Sequence, residues 1–361
     1  MQQTYPISVS TVTTIPQILA TVVKNEEFYM RGWQLVISGI LALTCGFSTV
    51  SCTTAIADPT QPRITFEGNP PPWADSASSV MTELEQWRGL DFTESLQVTF
   101  QAQDDPRLNG WYNSETKELV VATSGSDDLG RGVMLHEMFH ALQDQHFDLY
   151  NLHVESQDNP DYDKAVTAVI EGEAMLAVSE LMNYDFLAHA QLPAEGEISE
   201  RLFENIFLYG AGLKFIQAVR DSGGWAAVDA VFADPPQASA LILSPERYLN
   251  GERSIDPIDI PLKAGETLTS ETIRGEYALR LMLAQQPETR SLVNDMGDSY
   301  RTDTLGVITN NKGDRTHRWV IELSDSNTTE ALAEGVKTAL AEELGEAPLV
   351  EIDNNSIIVE W

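Results

Sequence analysis

His136 and His140 constrain this chain more than any other pair of residues. They stand four apart in Val133-Met134-Leu135-His136-Glu137-Met138-Phe139-His140-Ala141-Leu142, a run that is otherwise mostly apolar. On an α-helix a spacing of four turns about 400°, so both imidazoles emerge on one face, about one turn apart. The pattern therefore predicts a helix over residues 133–147. The alternative is a surface or core helix carrying two ordinary histidines. The apolar flanks argue against surface decoration, and the shared face lets both nitrogens bind one ion. Glu137 points about 100° round, near enough to reach a water on that ion without replacing it. Zinc lowers the pKa of such a water towards about 7, and a carboxylate so placed takes its proton.

A catalytic zinc requires a third protein ligand and an open position. Residues 163–182 read as a second helix, on which Ala168, Glu171, Met175, Val178 and Met182 form one stripe. Glu171 is the only carboxylate in that stripe, and a metal removes the cost of burying it. Glu173 lies about 200° away on a mixed face with Glu180 and reads as solvated or supporting. Gly172 weakens the helix by about 1 kcal/mol against Ala and reads as a point of close approach to the first helix. His146 is the rival ligand. The run His136–His146 has the HExxHxxGxxH spacing, with Gln143 in place of the glycine that turns the chain. With Gln143 the helix continues and His146 points about 240° away from His140. Asp144 reads either as a carboxylate orienting a ligand imidazole or as a surface Asp near a helix end.

The rest of the chain limits the function classes. Asp and Glu outnumber Lys and Arg by 55 to 22 in 361 residues, a net charge of −33 that repels a phosphate backbone and excludes nucleic acid as a partner. Both cysteines, Cys45 and Cys52, stand near the N-terminus, so any metal beyond them is held by His, Asp or Glu. Residues 32–50 are uncharged and mostly apolar, follow Arg31, and end in Ser48-Thr49-Val50-Ser51-Cys52. This reads as an export leader resembling a bacterial lipoprotein signal cleaved and lipidated at Cys52, with Thr49 where that signal usually carries Leu. A single membrane anchor is the other reading of the same stretch. The expected organisation is a leader over 1–52, a Pro-rich tether over 53–75, a catalytic domain over 76–260 and a C-terminal α+β segment over 261–361.

Trp111-Tyr112 and Leu119-Val120-Val121 read as strands around a turn. Residues 199–220 read as a helix with two glycines, Gly223-Gly224-Trp225 as a break, and Asp234-Pro235-Pro236 as a stop. Further on, 271–283 and 329–344 read as helices, 305–309 and 319–323 as strands, and 349–352 with 357–361 as a hairpin around Asn354-Asn355. The mixture predicts an α+β protein, helix-rich, with the histidine helix beside a small sheet.

The stretch His136-Glu137-Met138-Phe139-His140-Ala141-Leu142-Gln143-Asp144-Gln145-His146-Phe147, followed by Glu171-Gly172-Glu173-Ala174, resembles the gluzincin pattern of HExxH and a helix bearing ExxA. It is also similar to a poorly characterised group of exported bacterial proteins and lipoproteins. Gly223-Gly224-Trp225, Asp234-Pro235-Pro236 and Leu243-Ser244-Pro245-Glu246-Arg247-Tyr248 resemble later motifs of that group. The resemblance covers roughly residues 110–250. It implies a zincin-like fold, one zinc held by His136, His140 and Glu171, and Glu137 as general base. Ser244 stands where the group often has His, which leaves Tyr209 and Tyr248 as candidates to support an oxyanion.

The leading expectation is zinc-dependent peptide hydrolysis outside the cytoplasmic membrane, on a peptide or protein substrate. The strands over 111–121 offer an edge for an extended peptide. The alternatives are a non-catalytic zinc-containing envelope scaffold, against which Glu137 speaks, and a zinc hydrolase of a non-peptide envelope amide.

Overall fold

The computed structural model describes residues 63–102, 110–123, 127–193 and 195–361. The leader, the cysteines and the start of the tether lie outside these residues. The described residues divide into two units: one from 63–85 with those of 91–141, the other from 86–90 with those of 142–361. The break expected near residue 260 falls inside the second unit. Helices and strands of both units confirm the α+β class.

The first unit is built on a four-stranded mixed sheet: β1 (Ile64–Gly68), β2 (Leu96–Gln101), β3 (Gly110–Asn113) and β4 (Glu118–Ala122). Its order is β1-β2-β4-β3, with β1, β2 and β4 parallel and β3 antiparallel to β4. β2 alternates, burying Leu96, Val98 and Phe100, whereas the apolar run Leu119–Ala122 of β4 is buried throughout. The turn between β3 and β4 is an Asx turn: Asn113 Oδ1 accepts from the amides of Glu115 and Thr116, both at 2.9 Å. Helix α1 spans Ala77–Arg88, and α2 spans Asp127–Phe147, starting six residues earlier than the apolar pattern indicates. Strand β1 corrects the tether reading. Residues 64–68 pair with β2 and Pro72–Ser76 form a 3-10 turn, so that part of the Pro-rich stretch is structured.

The second unit begins in the last turns of α1 and α2. It continues through α3 (Leu149–Ser156), α4 (Pro160–Leu181), α5 (Glu200–Asn205) and α6 (Gly212–Ala233). Asn159 caps α4 by accepting from the amides of Asp161 and Tyr162, and Pro160 starts it, where no amide proton is needed. A π-helical turn, Ile206–Ala211, joins α5 to α6, so the single helix expected over 199–220 is interrupted. Gly223 and Gly224 leave helical geometry where a break is expected, and α6 ends at Ala233, before Asp234-Pro235-Pro236. Gly172 of α4 meets Gly212 of α6 rather than the first helix: a Cβ on Gly172 would stand 2.2 Å from the Gly212 carbonyl carbon. The reason is angular, since adjacent helical residues point about 100° apart and so face different neighbours.

Short helices α7 (Ser239–Leu243) and α8 (Pro245–Leu249) lead to a five-stranded antiparallel sheet. Its strands are β5 (Thr267–Thr272), β6 (Tyr300–Thr309), β7 (Arg315–Leu323), β8 (Leu349–Asp353) and β9 (Ser356–Glu360), in the order β5-β6-β7-β9-β8. Helices α9 (Gly275–Gln285), α10 (Ser291–Asp295) and α11 (Ser326–Leu344) complete it. Trp319 of β7, Val336 of α11, and Ile357 and Val359 of β9 are fully buried. The expected hairpin forms, with Asn354 at a φ of 54°, while Glu271 and Thr272 belong to β5 rather than to the helix read over 271–283. Among the described residues no helix is long and apolar enough to cross a membrane.

Candidate metal centre

Helix α2 is continuous from Asp127 to Phe147, so Gln143 does not turn the chain and His146 is left exposed. Met134, Leu135, Met138, Phe139, Ala141 and Leu142 of α2 are buried completely. In that setting His136, Glu137 and His140 are also buried, at 3%, 6% and 4% exposure. The Nε2 atoms of His136 and His140 lie 3.0 Å apart, and the rings cross at 87°. A tetrahedral ion with bonds of about 2.0–2.1 Å holds two nitrogens about 3.3 Å apart, so the imidazoles are already near that spacing.

Glu171 of α4 completes the group: one ligand atom from each of His136, His140 and Glu171 lies within 4.8 Å of the others. Two imidazoles and a carboxylate are the donor set of catalytic zinc sites, and the residues fit a divalent ion of that kind. Among the described residues this is the one group of three or more His, Cys, Asp or Glu that could hold a metal in this way.

Glu137 sits against the edge of the first unit's sheet. A Cβ on Gly110 of β3 would stand 3.0 Å from Glu137 Cγ and 2.6 Å from Val133 Cγ1. The missing side chain brings the β3 backbone close to the carboxylate-bearing face of α2.

Asp144 is buried rather than a surface residue, and its Oδ1 accepts from the Leu149 amide at 3.1 Å, bonding the end of α2 to the start of α3. Glu173 is fully buried, which corrects the solvated reading. Arg88, itself 2% exposed, donates from Nε to Glu173 Oε1 and from Nη2 to Asp229 Oδ1. Gln143 donates to Glu173 Oε2 at 2.9 Å and to the Ile170 carbonyl at 3.1 Å. Burial pushes the Glu173 carboxyl up, and the Arg88 charge opposes that. Arg88 and Asp229 carry no local sequence signal, because their partner is 85 residues away for Arg88.

Tyr209 is buried in the π-helical turn, which packs on α4. Tyr248 is buried too, and its hydroxyl donates to the Asp234 carbonyl at 2.8 Å, with the Arg253 guanidinium 4.0 Å from its ring centroid. Burial raises the Tyr248 hydroxyl above its ordinary value. Ser244 donates to Asp298 at 2.9 Å. No family model, curated protein or solved structure matches this chain.

Proposed function

We propose that this chain is a zinc-dependent peptidase in which His136, His140 and Glu171 hold the ion and Glu137 is the general base. The observation that carries the reading is the convergence of the three ligands within 4.8 Å, with Glu137 one residue from the first of them and buried beside it. A divalent ion held there supplies a polarised carbonyl and a water acidified to a pKa of about 7. Glu137 accepts a proton from the attacking water and returns it to the leaving amine. Its burial keeps bulk water from competing for that proton. Gly110 supports a peptide rather than another amide as substrate: it lies on β3, which ends the sheet order, and the strand's backbone runs beside Glu137. An extended peptide adds to such an edge through main-chain hydrogen bonds.

Tyr248 donates its one hydroxyl proton to the Asp234 carbonyl, which counts against it as the oxyanion donor. The leader ending at Cys52 supports export and attachment to the outer face of the cytoplasmic membrane.

The test is Glu137→Gln, which keeps the shape but removes the base. Zinc content should stay at the wild-type level while cleavage of a peptide library falls at least about a hundredfold. Equal cleavage by wild type and variant, with zinc in both, defeats the peptidase reading.

A further inference from the structure

Gln143 stands three residues after His140, and its side chain bonds to both sides of Glu171: to the Ile170 carbonyl at 3.1 Å and to Glu173 Oε2 at 2.9 Å. We infer that Gln143, Glu173 and Arg88 form a register clamp that sets α4 against α2 so that Glu171 meets His136 and His140. The inference rests on those three residues holding the metal.

The geometry favours alignment over simple packing. Ile170 O already lies in the backbone ladder of α4, so Gln143 adds a second hydrogen bond to a carbonyl adjoining the ligand residue. Sliding α4 along α2 by one residue moves a side chain by about 1.5 Å along the axis and 100° around it. That motion breaks both Gln143 bonds and turns Glu171 away. Two bonds from one side chain of α2 to two residues of α4 therefore admit one register. Arg88 fixes the acceptor: its Nε holds Glu173 Oε1, leaving Oε2 for Gln143. The guanidinium is in turn held by Asp229 and by the face of Trp225, 4.6 Å from its centroid. All members of the clamp except Asp229 and Trp225 are buried, so water offers no substitute bond. Gln143 and Glu173 are not among the three ligands, and they act on the site through the placement of α4, which makes them positioning residues.

The experiment measures zinc and cobalt affinity by chelator competition on the full-length protein, with metal-free thermal melting alongside. Gln143→Met keeps the volume and removes both donors. Affinity should fall about 10–100-fold, as it does when groups that orient ligands are lost. The visible spectrum of the cobalt-loaded variant should change, and the metal-free protein should stay folded while melting somewhat lower, because Glu173 Oε2 loses a buried donor. A folded Gln143→Met protein with wild-type affinity and an unchanged cobalt spectrum overturns the clamp. Should that variant not fold, Glu173→Gln retains the shape and swaps one acceptor oxygen for a donor. The same weakening is expected of it, and unchanged affinity in folded Glu173→Gln likewise overturns the clamp. Wild-type protein that takes up neither metal fails the metal-centre reading itself, whereas metal-loaded wild type with unaltered variants fails only the clamp.

Discussion

The two ends of α4 bury carboxylates in opposite ways. Glu173, in the C-terminal half, has both oxygens bonded, to Arg88 and to Gln143. Asp161, in the first turn, is 4% exposed; its Oδ2 accepts from the Ser239 amide at 3.1 Å, and its Oδ1 is buried with no hydrogen-bond partner. The neighbours that bear on Asp161 are the acids Asp303 and Glu276. Burial pushes both carboxyls up, but only Glu173 has a cation to oppose it. Burial is the largest influence on both acids, and the neighbours set them apart: Arg88 opposes it at Glu173, whereas Asp303 and Glu276 add to it at Asp161. Glu171, between them, belongs to the group of three side chains that could hold a metal ion. One helix thus places three acids in three different surroundings.

Removing the cation from the Glu173 end breaks the contrast most directly. Arg88→Met leaves Glu173 fully buried without its counter-charge, and stability measured by urea unfolding should fall by about 3–5 kcal/mol. The double variant Arg88→Met with Glu173→Met removes both charges and should recover most of that loss, because well-packed apolar replacement of a buried pair is often neutral. A drop below about 1 kcal/mol for the single variant would show that Glu173 does not carry charge in the folded state, and the two ends of α4 would then be alike.

The sequence is legible where structure is set locally. The apolar flanks of His136 and His140 mark α2, the lone carboxylate of an apolar stripe marks Glu171, and Asn354-Asn355 marks the β8–β9 turn. The burial of Glu173 is not legible, because its environment is made by Arg88 and Gln143, 85 and 30 residues away, and no helical wheel carries that information. Strand β1 escapes the pattern because its burial does not alternate: Phe66 is 43% exposed, and the strand is held by its ladder to β2. The π-helical turn at 206–211 looks like ordinary helix because its residues, Ile-Phe-Leu-Tyr-Gly-Ala, fit either geometry.

The Asp161 end is sharpened by changing pH, with a smaller effect of opposite sign. Desolvation raises this carboxyl from 3.8 to about 7, and the Ser239 bonds only partly offset it. The α4 N-terminus favours the anion by about 0.3–1 kcal/mol, too little to reverse the burial penalty. The folded state therefore keeps a proton that the unfolded chain releases above its ordinary value. The stability tied to that proton is complete below about pH 4 and is lost as pH rises through about 7. Asp161→Asn mimics the protonated acid at every pH, since its amide oxygen can still accept from Ser239. The variant should match wild type near pH 4 and be the more stable protein at pH 8. A displacement of about three pH units limits the gain to about 4 kcal/mol, and relaxation around the charge reduces it. Glu173 is present in both proteins, so the difference between the two unfolding curves reports residue 161 together with its coupling to Asp303 and Glu276. If that difference is flat between about pH 5 and pH 8, Asp161 is already ionised in the fold, and burial beside Asp303 and Glu276 does not set its state.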